Sequence, residues 1–192
     1  MNVTAQLPLN TMPLPLRLRV EDYLALDRIG AFEDYAKTEL IGGEIFFMNA
    51  QHRRHASTKM KLYDALRDAL GPLNSRLVAL VEASIEIPDH SVPEPDIVLT
   101  SEPEGEGLVP LASVALVAEI ADTSLAQDLG RKAVLYAQAG IAEYWVVDIN
   151  DRVIHQLWSP QGEDYAGRRV IAFGQSVTAE TIDGLAVETA RI

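Results

Sequence analysis

Glu119 stands in an otherwise apolar run, Val114-Ala-Leu-Val-Ala-Glu-Ile-Ala121. A strand covered on both faces rarely holds a glutamate without a partner, because burying an unpaired carboxylate is costly. A metal ion, a lysine or an arginine beside Glu119 would offset that cost; a solvent-facing place on an edge strand would avoid it. Asp96 opens the run Asp96-Ile-Val-Leu-Thr100 directly after Pro95. It is either an ordinary turn residue or an acid presented at the end of an element. Lys132 follows Asp128 by four residues on the helix after the Glu119 strand, so the two share a face. Periodicity alone favours a surface ion pair between them, worth roughly a few tenths of a kcal/mol. Turned inward, Lys132 would stabilise charge on a phosphate or lower the pKa of a water.

Other groups carry weaker signals. Glu39 and Glu44 flank Gly42-Gly43, as solvated hairpin charges often do, but Glu39 opens its strand and could point to a shared site. His52 and His55 lie three residues apart, which suits a pair of metal ligands; the two arginines between them are more typical of a solvated helix start. His90 and His155 are isolated. There is no Gly-x-Ser-x-Gly elbow, no P-loop, no Gly-x-Gly-x-x-Gly and no His-Glu-x-x-His, which leaves acid-plus-lysine chemistry as the main enzymatic option.

These residues must be positioned by a mixed α/β framework. Residues 1–19, with Pro8, Pro13 and Pro15 amid leucines, read as an extended arm, and 20–192 as a single domain. Val20 to Leu26 reads as a short amphipathic helix. Glu39 to Met48 reads as a hairpin turning at Gly42-Gly43. Met60, Tyr63, Leu66 and Leu70 mark a helix from Ala56 to Leu70, stopped by Gly71-Pro72. Strands are expected at Leu77–Ile87, Asp96–Thr100 and Val114–Ala121. A helix to Ala139 follows, capped by Thr123 or Ser124 and ended at Gly140. Glu143–Ile149 is the next strand, and a turn at Asn150-Asp151 leads to Val153–Trp158. The unit from 114 to 149 has the size of a parallel crossover. Val170–Phe173 and the tail are expected at an edge. From residue 55 the order is α-β-β-β-α-β, a mixed sheet with helices on its faces.

The chain has 192 residues, enough for one sizeable core, and 48% of them are hydrophobic. No apolar run reaches about 18 residues, so no membrane-spanning helix is expected. The first residues lack the basic-then-apolar pattern of a signal peptide, and there is no cysteine, so a cytoplasmic location is the default expectation. The formal net charge of −12 disfavours holding nucleic acid by bulk electrostatics, though a divalent cation could neutralise part of that charge locally.

Pro95-Asp96-Ile-Val, Glu119 within Val-Ala-Glu-Ile-Ala-Asp-Thr-Ser-Leu, and Asp128-x-x-x-Lys132-x-x-x-Tyr136-x-x-x-Gly140-Ile-x-Glu143-Tyr-Trp-Val-Val-Asp148 together resemble the Uma-two family of restriction-endonuclease-like proteins, within the PD-(D/E)xK nuclease superfamily. Glu39-Leu-Ile-x-Gly-Glu-Ile and His55 belong to the same resemblance, which runs from about Val20 to Trp158. It implies an αβββαβ core with an N-terminal hairpin. It makes Asp96 and Glu119 ligands for Mg²⁺ or Mn²⁺, gives Lys132 the lysine role, and adds Glu39 as a further acidic residue. The superfamily's usual lysine position, two residues after Glu119, is Ala121 here; the family carries its lysine on the following helix, where Lys132 lies. The activity implied is metal-assisted hydrolysis of phosphodiester bonds, with DNA as substrate. The alternatives are a repurposed nuclease fold serving as a dimeric binding module, and a hydrolase of small phosphate esters. A homodimer is expected, with the arm and the C-terminal strands burying surface against a second copy.

Overall fold

The computed structural model describes residues 14–48 and 50–192. Most of the expected arm, residues 1–13, therefore lies outside the described residues. Within the described part of the arm, Leu14 and Leu16 are exposed.

Helix α1 (Val20–Arg28) precedes a hairpin of β1 (Thr38–Ile41) and β2 (Glu44–Phe47). The hairpin turns at Gly42 and Gly43, whose φ angles of 59° and 83° suit glycine. Helix α2 (Arg53–Leu70) begins three residues earlier than its apolar pattern predicts, which brings His55 into its first turn. Its buried stripe is Lys59, Leu62, Leu66 and Leu70, whereas Met60 is half exposed.

The expected strand Leu77–Ile87 is broken in two: β3 (Val78–Val81) and β4 (Ile85–Glu86). Glu82 between them has φ of 54°, a left-handed conformation that no strand continues through. β4 pairs in parallel with β6 (Val109–Pro110), away from the main sheet. β5 (Ile97–Thr100) and β7 (Val114–Ala121) are central. The following helix is not continuous α. It runs as α3 (Leu125–Gln127), a π-helical segment Asp128–Lys132, and α4 (Ala133–Gln138). Ser124 makes no side-chain cap; its hydroxyl bonds Asp128 Oδ2 instead, at 2.6 Å.

Strand β8 (Glu143–Asp148) then leads to a hairpin of β9 (Val153–Gln161) and β10 (Asp164–Ala172), longer than sequence suggested, and to a small pair, β11 (Ser176–Thr178) with β12 (Ala186–Glu188). The main sheet has six strands in the order β10-β9-β8-β7-β5-β3. Within this sheet only β7 and β8 pair in parallel, joined by the α3–α4 crossover, and β10 forms one edge. The sequence α2, β3, β5, β7, α3–α4, β8 is the expected αβββαβ core.

Residue alternation along β7 divides the core. Leu116, Ala118 and Ile120 pack under α2 with Trp145 and the β11–β12 pair. Val117 and Ala121 pack under α4 with Tyr136 and Tyr144. Glu119 has the parity of the second set, so the strand aims its carboxylate at the crossover helix. No helix among the described residues is long and apolar enough to cross a membrane.

Candidate active site

Strand register brings the first two acids together. β5 and β7 are antiparallel with Ile97 opposite Ala118; one residue further, Asp96 faces Glu119. Both are 4% exposed. Backbone donors bridge the strand ends: Ile120 N–H donates to Asp96 Oδ2 at 2.8 Å, and Asp96 N–H to Glu119 Oε2 at 3.3 Å.

The crossover helix supplies the next layer. Lys132 and Tyr136, four residues apart, both reach Glu119 Oε1, at 2.8 and 3.0 Å. The surface ion pair that periodicity favours for Lys132 and Asp128 is not what forms. Lys132 is 2% exposed and its second partner is Glu39 Oε1 at 3.2 Å, while Asp128 is buried on Ser124. The π-helical segment turns this face inward; such segments occur often at functional sites. Glu39 Oε1 also accepts the Glu94 N–H at 2.8 Å, and its Oε2 is buried without a partner.

Helix α2 contributes from the other side. His55 Nε2 lies 3.1 Å from Asp96 Oδ2, so it faces a carboxylate rather than pairing with His52 as a metal ligand. Lys59 Nζ lies 3.3 Å from Asp96 Oδ1 and also bonds Gln51 and Glu82. The resemblance does not include Lys59 or Glu82, and it includes Tyr136 without giving it a role. Lys59 had a usable signal: it falls in register with Leu62, Leu66 and Leu70 on the buried face.

The group opens on a cleft of about 480 Å³ between the hairpin, α2 and the crossover. Six carboxylates line it (Glu82, Glu94, Asp96, Glu119, Asp122 and Asp128) against two lysines, Lys37 and Lys132. The imbalance marks the titrations. Burial pushes the Glu119 carboxyl up to about 8; Lys132 opposes this, and the charges of Asp96, Asp128 and Glu39 add to it. Burial also raises Asp96, but the hydrogen bond and charge of His55, with Ile120 N–H and Lys59, outweigh it and hold Asp96 below the usual range. Burial alone would lower Lys132; Glu119 and Glu39 override it and hold the amine above its ordinary value, as an ammonium.

Oxygen donors in an electron-rich, under-compensated cleft fit a hard divalent cation. Among the described residues no three His, Asp or Glu side chains are grouped as a ready-made cage. Mg²⁺ does not require one, because it keeps several waters and takes one or two carboxylates.

A family model described as "Uma2: Putative restriction endonuclease" matches residues 20–190. Among solved structures, the chain resembles a putative nuclease belonging to DUF820 from Anabaena variabilis ATCC 29413. The match has a TM-score of 0.62 and 18% identity, and covers 84% of this chain and 89% of that one. At that identity the likeness is one of fold. No curated protein sequence matches the chain.

Proposed function

The chain belongs to the Uma2 restriction-endonuclease family, and from that premise we propose that it is a Mg²⁺- or Mn²⁺-dependent endonuclease that hydrolyses phosphodiester bonds in DNA. The observation that carries this reading is the meeting of Asp96, Glu119 and Lys132 in one acidic cleft, with Lys132 Nζ 2.8 Å from Glu119. Asp96 and Glu119 would hold the cation. Once bound, such an ion polarises a phosphoryl oxygen and lowers the pKa of an attacking water.

The chain's own residues do the rest. Lys132, kept protonated, acts as a donor and a positive charge; it orients the water or stabilises charge developing on the phosphate, and it is not a base. Glu39 holds Lys132 from behind, and is itself held by the Glu94 N–H. Tyr136 fixes the Glu119 carboxylate, while Ile120 N–H and His55 fix Asp96. The working protein in this reading is a cytoplasmic homodimer, since two-fold symmetry matches the two strands of a duplex.

Cleavage of plasmid, linear duplex and single-stranded DNA with Mg²⁺ or Mn²⁺ tests the proposal. Metal-dependent cleavage is expected for the wild type, with losses of about 100-fold or more in Lys132→Met and Asp96→Asn while both remain folded. A folded wild type that cuts none of these substrates with either metal contradicts it. The repurposed binding module would then be favoured, consistent with Lys132 and Lys59 already occupying the acids.

A further inference from the structure

We infer that Lys59 is a built-in counter-ion to Asp96 that sets how tightly the site holds a divalent cation, and that Glu82 tunes it. The inference rests on the metal-dependent reading above. Lys59 is a buried lysine, 5% exposed, on the apolar stripe of α2, and it lies outside the Glu119–Lys132 arrangement. Its ammonium sits 3.3 Å from Asp96 Oδ1 and also bonds Glu82.

A buried amine in this position has a structural cost that leucine or methionine would avoid. Its placement makes sense as charge compensation. Lys59 supplies one positive charge to Asp96, with Gln51 assisting at the same Oδ1. A divalent cation at Asp96 would feel that charge as repulsion across a few ångströms of low-dielectric interior. Glu82 offsets that charge. It sits where the chain breaks between β3 and β4, and its left-handed backbone is what turns it out of the strand. The hydrogen bond from Lys59, with the charge of Lys37 as a further cause, holds the Glu82 carboxylate below its usual range.

The two substitutions therefore have opposite signs. Removing the amine should tighten metal binding; removing the Glu82 carboxylate should leave the amine's charge fully on Asp96 and weaken binding. A purely structural ion pair would lower stability in both variants and would not move metal affinity in opposite directions.

The experiment titrates Mn²⁺ into the purified full chain, without nucleic acid, and follows free Mn²⁺ by electron paramagnetic resonance. Lys59→Met should bind Mn²⁺ about tenfold tighter than wild type, Glu82→Gln about threefold or more weaker, and Lys59→Arg within about twofold. Should Lys59→Met fail to fold, Lys59→Gln takes its place: tighter binding supports the inference and unchanged binding overturns it. Wild-type binding with Lys59→Met no tighter overturns the inference and leaves the metal reading standing. No Mn²⁺ bound by any of the four proteins overturns both.

Discussion

At the scale of single residues, the site is a problem of surplus negative charge, and each acid meets it differently. Glu39 is fully buried with one oxygen on Lys132 and Glu94 N–H and the other without a partner. In the proposed reaction it acts through Lys132. Glu39→Gln should cut cleavage about tenfold through kcat and leave KM nearly unchanged, because it misplaces the ammonium without touching the substrate; steady-state kinetics with an equal rise in KM would contradict that role. Asp128 gives a pH prediction. Burial pushes its carboxyl up to about 6 from an ordinary value of 3.8; Ser124 and Lys132 oppose the rise, and Asp96 and Glu39 reinforce it. The fold thus prefers protonated Asp128. That preference contributes fully to stability below pH about 3.8 and is lost as pH rises through about 6. Asp128→Asn should accordingly raise stability by about 1–3 kcal/mol at pH 8 and change little at pH 4. Thermal melts at the two pH values check it, and an equal effect at both would contradict it.

At the scale of elements, Lys132 is delivered to the cleft by an irregular helix. The π-helical segment carries Asp128 and Lys132 to the buried face, with Gly130 between them. A Cβ at Gly130 would meet nothing within 4 Å, so Gly130→Ala should leave structure and cleavage intact and gain up to about 1 kcal/mol. Deleting Gly130 removes the extra residue of the wide turn; the chain should stay folded by circular dichroism yet lose cleavage, and a deletion variant as active as wild type would contradict the segment's role. The architecture was legible in the sequence where one signal dominated: the apolar strands at 97–100 and 114–121, the glycine hairpin and the crossover to β8. It was not legible where a backbone conformation overrode a pattern. Leu77 to Ile87 reads as one strand because nothing in its composition announces the left-handed Glu82. The π segment has helical composition throughout. Lys59 is hidden in the sequence because Met60, beside it and exposed in the structure, fits the apolar period equally well.

At the scale of the whole molecule, part of the sequence block that carries the family resemblance holds the fold together rather than lining the cleft. Glu143 is fully buried and accepts from Trp145 Nε1 and Gln156 Nε2 at 2.7 Å, and from the backbone of Glu180 and Thr181 at 2.9 Å. It ties β8 to the C-terminal segment. Glu143→Ala should destabilise the protein by about 3 kcal/mol or more by stranding buried donors, as read by denaturant unfolding; a loss below about 1 kcal/mol would contradict the role. Across the molecule, then, the sheet brings Asp96 and Glu119 together, the crossover adds Lys132, and α2 adds His55 and Lys59. The proposed activity requires this meeting point to hold a divalent cation. Anomalous diffraction from crystals soaked in Mn²⁺ tests it most directly. A peak within about 2.5 Å of carboxylate oxygens of both Asp96 and Glu119 is the predicted result. Mn²⁺ elsewhere on the protein, with these two acids bound only to their lysines and backbone donors, would contradict it.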